Sequence, residues 1–341
     1  MIGIRVDVNK IIATGHIKRD LAIALCLREM GQECLFISAD ENCLPYLEPH
    51  GFQSVILNSQ WDNMEPELDC LLQVLEAYEI KSLLVDSYMV TEKYMQTLSE
   101  KTVVTYFDEL AKFGYGCQQM INGVLVPPDY SGAKGRALLG PDYVSMRQEF
   151  VGLPPKEIRP RIEKVLVTSG GTDNYHFCLK FTEAFLAEEE WKPVKLLVAV
   201  GELNGDKIEL EERYGANERI ELYINHQHMA ELMQQADYAL TAGGTTLYEV
   251  CAAGVAASCY AIADNQLEIA QDFQERGLIS YAGDFRADEK GTLQRIYEQL
   301  READSVRFRE ERAKKMQSLV DGKGAGRIAR ALVEAPEIFS V

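Results

Sequence analysis

The chain has 341 residues, 47% apolar and 26% charged, the make-up of an ordinary globular protein of about two domains. Lys and Arg number 35 against 53 Asp and Glu, a formal net charge of −18. This argues against a nucleic-acid binder, which needs a basic face, and against docking on an anionic membrane.

Short apolar runs alternate with amphipathic stretches from end to end. Ile2–Val6 reads as a buried strand, and His16–Met30 follows as a helix with Ile17, Leu21, Ala24, Leu25 and Leu27 on one side. Gly31 stops it, Glu33–Ser38 is the next strand, Glu67–Tyr78 is helical, and Ser82–Val85 and Thr102–Phe107 are strands. Strands alternating with helices are the signature of a parallel sheet covered on both faces. Three prolines between Val151 and Pro160 interrupt the rhythm and mark a linker. A second series then begins. It has strands at Lys164–Thr168, Val194–Val200, Arg219–Ile224, Tyr238–Thr241 and Ala257–Ile262, and helices at Phe177–Ala187, Met229–Gln235 and Leu247–Ala253. The expectation is two doubly wound, Rossmann-like α/β domains over 1–155 and 156–341, with the charged, helical tail Arg301–Ala335 folding back on the first.

No segment reaches the ~20 apolar residues of a membrane span, so no membrane anchor is expected. The start Met1-Ile2-Gly3-Ile4-Arg5-Val6-Asp7 is charged within its apolar run, unlike a signal peptide. A cytoplasmic monomer is the expectation. The eight cysteines form no C-x-x-C pair and read as small buried hydrophobes in a reducing compartment.

Ligands bind such sheets at the carboxyl ends of the strands, so the loops after strands hold the candidates. The loop after the first strand lacks G-x-G-x-x-G spacing. It places Gly15 at a tight turn, His16 at a helix start, and Lys18 and Arg19 in the first turn. A histidine there serves either as a general base or only as part of the helix start. Ser169-Gly170-Gly171-Thr172-Asp173 follows a strand and suits close backbone approach to a phosphate, or is an ordinary turn. Thr241-Ala242-Gly243-Gly244-Thr245-Thr246-Leu247-Tyr248-Glu249 ends a strand and opens a helix. Its amides and hydroxyls fit a diphosphate, and Glu249 could accept both hydroxyls of a ribose; capping is the alternative. Asn265 and Gln266 open another helix, where they suit a sugar or phosphate or act as caps. Asp86 with Tyr88, and Asp108 with Glu109, place polar groups at strand ends, where a carboxylate can hold substrate or orient His16, or is only a turn or cap. His226-x-His228 has no third ligand nearby, so no metal site is expected.

Together these segments resemble the pseudaminic-acid-pathway hydrolases that act on UDP-2,4-diacetamido-2,4,6-trideoxy-β-L-altropyranose (PseG) and the related spore-coat polysaccharide proteins (SpsG). Both are relatives of the MurG-like glycosyltransferases of GT-B fold. The resemblance rests on Gly15-His16-Ile17-Lys18-Arg19-Asp20-Leu21, Val85-Asp86-Ser87-Tyr88, Phe107-Asp108-Glu109, Gly140-Pro141-Asp142-Tyr143 with Arg147-Gln148-Glu149-Phe150, Gly170-Gly171-Thr172-Asp173, His226 with Ala230-Glu231-Leu232-Met233, and Asn265-Gln266. Ala13 stands where many relatives have glycine, and Asn122-Gly123-Val124 replaces an Asn-rich stretch.

The resemblance implies that the first domain binds the sugar and the second UDP, with catalysis in the cleft between them. His16 would activate water against the anomeric carbon, with Tyr88 close by. Backbone near Ile224–His226 would hold the uracil, Thr245 and Thr246 the diphosphate, and Glu249 the ribose. Gly15, Lys18, Arg19, Asp86, Asn265 and Gln266 join the substrate contacts, and Gly170, Gly171 and Thr172 the nucleotide contacts. UDP is then part of the substrate, and no metal or other cofactor is expected. A GT-B glycosyltransferase and a non-catalytic nucleotide-sugar-binding protein are the competing readings. Transfer to a lipid acceptor would call for a basic or apolar face on the first domain, and none is expected.

Overall fold

Seven strands of the first half pair in parallel: β1 Ile2–Val6, β2 Cys34–Ser38, β3 Gln53–Ile56, β4 Ser82–Asp86, β5 Val103–Phe107, β6 Gln119–Asn122 and β7 Arg136–Leu139, in the order β3-β2-β1-β4-β5-β6-β7. Six strands of the second half do the same: β8 Lys164–Thr168, β9 Lys195–Val200, β10 Ile220–Ile224, β11 Tyr238–Ala242, β12 Ala257–Ala261 and β13 Ser280–Asp284, in the order β10-β9-β8-β11-β12-β13. The computed structural model describes residues 1–9, 11–12, 14–111, 116–133 and 135–335; Ala13 lies outside them.

The strands are apolar because both faces of each sheet are covered. In the first sheet, Ile4 and Val6 pack with Ile17, Ile23 and Leu27 of helix Gly15–Glu29, while Leu83 and Val85 join Leu71 and Tyr94 on the other face. In the second, Val165, Val167 and Val198 pack with Phe177, Phe181 and Ile296.

Contacts divide the chain into two compact units, Met1–Gln148 with Gly322–Val341, and Glu149–Asp321. The division expected after residue 155 therefore lies seven residues earlier. The reason is local bonding within the second unit: Glu149 accepts from the Ala230 amide, and Gln317 donates to the Pro154 carbonyl. The tail expected to be helical from Arg301 takes in the end of helix Glu289–Ala303 and the helices Val306–Leu319 and Gly324–Val333. The last lies in the first unit, with Ile328, Ala329 and Leu332 buried among Ile17, Ile23 and Leu27.

Strands β3, β6, β7 and β13 escaped the apolar-run criterion. In β6 the reason is plain, since Gln119 and Asn122 are buried polar residues that bond to backbone: Gln119 Nε2 donates to the Ala331 carbonyl and Asn122 Nδ2 to that of Asp108. Of the eight cysteines, seven are buried as expected and Cys70 is exposed, because it falls on the solvent side of helix Leu68–Ala77.

Both strand orders reverse direction at one point. In the first sheet the chain leaves β1 toward β2 on one side and returns to β4 on the other; in the second the same happens at β8 and β11. Loops leaving the carboxyl ends of such a strand pair diverge and open a crevice for a ligand.

Candidate active site

In the first unit the loops after β1 and β4 carry the chemistry. Val6 and Asp86 are register partners at the ends of these strands, so the helix that starts at Gly15 begins beside the Asp86 carboxylate. Its buried stripe runs through His16, Asp20, Ile23 and Leu27, while Leu21 and Leu25 are only half-buried. The apolar pattern of the sequence sets Leu21 and Leu25 on one side with Ile17, Ala24 and Leu27. The actual stripe, at spacings of four, three and four residues, turns His16 inward.

His16 Nδ1 lies 2.9 Å from Asp86 Oδ1. Burial opposes protonation of His16, but the Asp86 charge and hydrogen bond outweigh it and raise the imidazole above its ordinary value of 6.5. With Nδ1 on Asp86, Nε2 is the nitrogen left to exchange a proton with another molecule. Burial works against the Asp86 anion too, yet Arg19 and His16 hold its carboxyl far below the ordinary range. The Arg19 guanidinium grips Asp86 with two bonds, Nε to Oδ2 at 2.6 Å and Nη2 to Oδ1 at 2.5 Å. Its Nη1 donates to Glu109 Oε1 at 2.5 Å, and its plane lies 4.2 Å over the Phe107 ring. Arg19 thus directs three bonds at protein carboxylates and acts as the clamp that orients Asp86.

Tyr88 stands edge-on to the His16 ring, centroids 4.7 Å apart, and donates its hydroxyl to Glu109 Oε2 at 2.6 Å. Burial, then the Glu109 charge, keeps that hydroxyl protonated. The structure thus brings His16, Arg19, Asp86 and Tyr88 together and adds Glu109, which the sequence offered only as one of two acids at a strand end. Gly15 and Lys18 are exposed, and Lys18 lies off the buried stripe. Ile11, Met89 and Leu110, on the loops after β1, β4 and β5, are also exposed. A second buried charge group escaped the sequence reading entirely. Arg5 pairs with Asp7 at 2.7 Å and with both oxygens of Glu67, which also accepts from Ser59 and Tyr94. It ties the base of the loop after β1 to segment 59–67.

In the second unit the loops after β8 and β11 come together. Gly170 has φ +79°, and the position of a side-chain carbon built on it is 3.9 Å from Thr246 Oγ1. Gly201, at the end of β9, must be glycine, since a Cβ there would stand 2.2 Å from the Gly170 carbonyl oxygen. Gly171 is exposed and Thr172 half-buried, whereas Asp173 caps helix Phe177–Ala187 by accepting from the Phe177 and Cys178 amides. Thr245 precedes helix Thr246–Ala253 and makes no capping bond with its side chain. It is exposed, Thr246 is half-buried, and Glu249 lies half-buried on the same helix. Gly243 packs against Gln266, 3.1 Å from its Cβ by the same construction, and Gln266 Oε1 accepts from the Ile262 amide at 2.9 Å. Asn265 is exposed. Ile224 ends β10, and the left-handed Asn225 turns the chain so that the His226 ring meets Tyr223 edge-on, 5.1 Å away.

Among the described residues no group of three or more His, Cys, Asp or Glu side chains is placed to hold a metal ion. Among them, too, no helix is long and apolar enough to cross a membrane.

No protein-family model matches the chain. It is 24% identical to the spore coat polysaccharide biosynthesis protein SpsG of Bacillus subtilis, over 98% of both chains. It is 23% identical to the UDP-2,4-diacetamido-2,4,6-trideoxy-beta-L-altropyranose hydrolase of Campylobacter jejuni, covering 75% of this chain and 90% of that one. The uncharacterized protein MJ1062 of Methanocaldococcus jannaschii is 22% identical over 74% of the chain, which spans only 54% of that protein's length. Among solved structures, MurG of Acinetobacter baumannii superposes with a TM-score of 0.71 at 14% identity, covering 97% of this chain and 99% of the other. The glycotransferase of kitacinnamycin gives 0.70 at 16% identity, covering 98% of both chains. The fold is therefore GT-B, and the chain's homologues include SpsG and a UDP-diacetamido-trideoxy-altropyranose hydrolase.

Proposed function

We propose that the protein acts on a UDP-sugar and hydrolyses it, releasing UDP and a free 2,4-diacetamido-2,4,6-trideoxyhexose for nonulosonic (pseudaminic-type) acid biosynthesis. One observation carries the chemistry: His16, at the crevice of the first sheet, has Nδ1 on the clamped Asp86 carboxylate and Nε2 available. Similarity to a named hydrolase supplies the substrate class. In this reading the oxygen of water bonds to C1 of the sugar, and His16 Nε2 takes the proton of that water. The C1–O bond breaks with its electron pair going to UDP. Asp86 stabilises the imidazolium that forms, as a carboxylate does for any histidine base. The amides and hydroxyls at Gly170–Thr172 and Thr245–Thr246 meet the diphosphate charge without a metal. Ile224–His226 takes the base, Glu249 the ribose, and Asn265 and Gln266 the sugar side.

Transfer of the sugar to an acceptor is the second reading, and the exposed Ile11 on the loop that leads to His16 favours it, since an apolar acceptor would cover it. Proton NMR of the full chain with UDP-sugars and no acceptor separates the two. Free sugar plus UDP, with ¹⁸O from labelled water on the sugar, supports hydrolysis. UDP release only after an acceptor is added supports transfer, and label on UDP would remove the role given to His16.

A further inference from the structure

Helix Gly15–Glu29 carries a carboxyl group on the face it buries. Asp20 is one turn beyond His16 and fully buried, and among the described residues no donor bonds either of its oxygens. It lies within hydrogen-bonding reach of the Asp86 carboxylate, and Arg19, Glu109 and His16 complete the charged and titratable surroundings of that pair. Arg19 does not serve Asp20 as well: its bonds run from Nε and Nη2 to Asp86 and from Nη1 to Glu109, and neither Asp20 oxygen receives one. With Asp86 and Glu109 ionised, the single positive charge of Arg19 is already outnumbered. Two carboxylates in contact, both buried and only one clamped by a cation, do not both ionise.

We propose that Asp20 is a neutral carboxylic acid whose O–H donates to Asp86, making it a positioning residue for His16. Burial first, and the Asp86 charge second, hold its carboxyl well above the ordinary range, in line with this geometry. Asp86 then receives four hydrogen bonds, from Arg19 Nε, Arg19 Nη2, His16 Nδ1 and the Asp20 O–H. That fixes its carboxylate plane opposite the imidazole. A neutral donor matters for the chemistry: an ionised Asp20 would stabilise the His16 imidazolium further and leave less neutral base near pH 7.

The functional half of this proposal rests on His16 being the base; the protonation half does not. The test uses the full chain with Asp20→Asn, which keeps a donor without charge, and Asp20→Leu, which has none. Infrared difference spectra at neutral pH should show the C=O stretch of an un-ionised carboxyl in the native chain that vanishes in Asp20→Asn. The His16 ring protons, identified among five histidines by their loss in His16→Asn, should titrate with the same midpoint in native and Asp20→Asn chains. With a UDP-sugar, Asp20→Leu should lose roughly 10–100-fold in kcat, the usual range for removing an orienting contact, with KM little changed, and Asp20→Asn should restore it. No un-ionised band, together with a His16 midpoint about one pH unit lower in Asp20→Asn, would show an anion at this position and overturn the proposal. If the band and midpoints behave as expected but no form hydrolyses any UDP-sugar, the functional reading fails and the proton on Asp20 stands.

Discussion

His16 owes its basicity to Asp86, and the two make separable predictions. His16→Asn keeps the size and a polar edge but cannot accept the proton. It should lower kcat by ~10²–10⁴-fold, the usual contribution of a positioned base, with UDP affinity by calorimetry nearly unchanged. The pH profile follows from the sign of the His16 shift. A base works when neutral, and Asp86 raises the imidazole above 6.5, so kcat/KM should fall with decreasing pH through a midpoint above 6.5. Lys18 is exposed, and the lowering influence of Arg19 is outweighed by Asp86. Asp86→Asn removes the raising influence and leaves burial, which lowers the midpoint, so the acid limb should move below its native position. It should also cost about 3–5 kcal/mol of stability, because Arg19 is left without its main partner. A melting temperature and acid limb both unchanged in Asp86→Asn would refute the pairing.

At the scale of elements, function depends on where strands end. β1 and β4 finish in register, which alone is enough to set Asp86 against the helix that begins at Gly15. In the second unit the loop after β8 is held by β9: Gly201 leaves no room for a Cβ beside the Gly170 carbonyl. Gly201→Ala should therefore push the 170–171 turn away from Thr246. We expect UDP affinity to fall roughly tenfold, about 1.4 kcal/mol, with the His16 NMR signals undisturbed because they belong to the other unit. Unaltered UDP binding in this variant would take Gly170 and Gly171 out of the site. Helix Gly324–Val333 completes the core of the first unit, with Ile328 fully buried against helix Gly15–Glu29. Ile328→Ala should destabilise that unit by about 2–5 kcal/mol, as for other large-to-small core changes, measured by denaturant melts. A change of only a few tenths would mean that the helix is peripheral.

At the scale of the whole molecule, the proposed chemistry divides between units: base and sugar with the first, nucleotide with the second. UDP carries its own negative charge into a protein with a net charge of −18, so attraction has to be local. In the proposed reading, amide groups and hydroxyls at two loop–helix junctions would provide it without a metal. Turnover should thus be unaffected by EDTA; activity lost to EDTA and restored by magnesium or manganese would contradict this.

The architecture was legible in the sequence because periodicity is a local property. Nine strands and five helices could be placed from apolar runs and periodicity, among them β1, β8 and helix Met229–Gln235 within a residue of their ends. His16, Asp86 and Tyr88 were legible as polar residues at strand ends or helix starts. Tertiary structure alone decided the rest, and for one reason. The state of a buried charge depends on what lies across from it, and those partners are remote in sequence: Arg19 and Asp86, Arg19 and Glu109, Arg5 and Glu67. The same holds for β6, whose polar ends Gln119 and Asn122 give no apolar run and are satisfied only where Gln119 finds the Ala331 carbonyl, and for the last helix, whose charged-looking segment reveals a core face only against Ile17 and Leu27. Asp20 is the sharpest case. In the sequence it is one more acid in an acidic chain; in the fold it meets another carboxylate with no donor to spare, so its own proton has to make the bond.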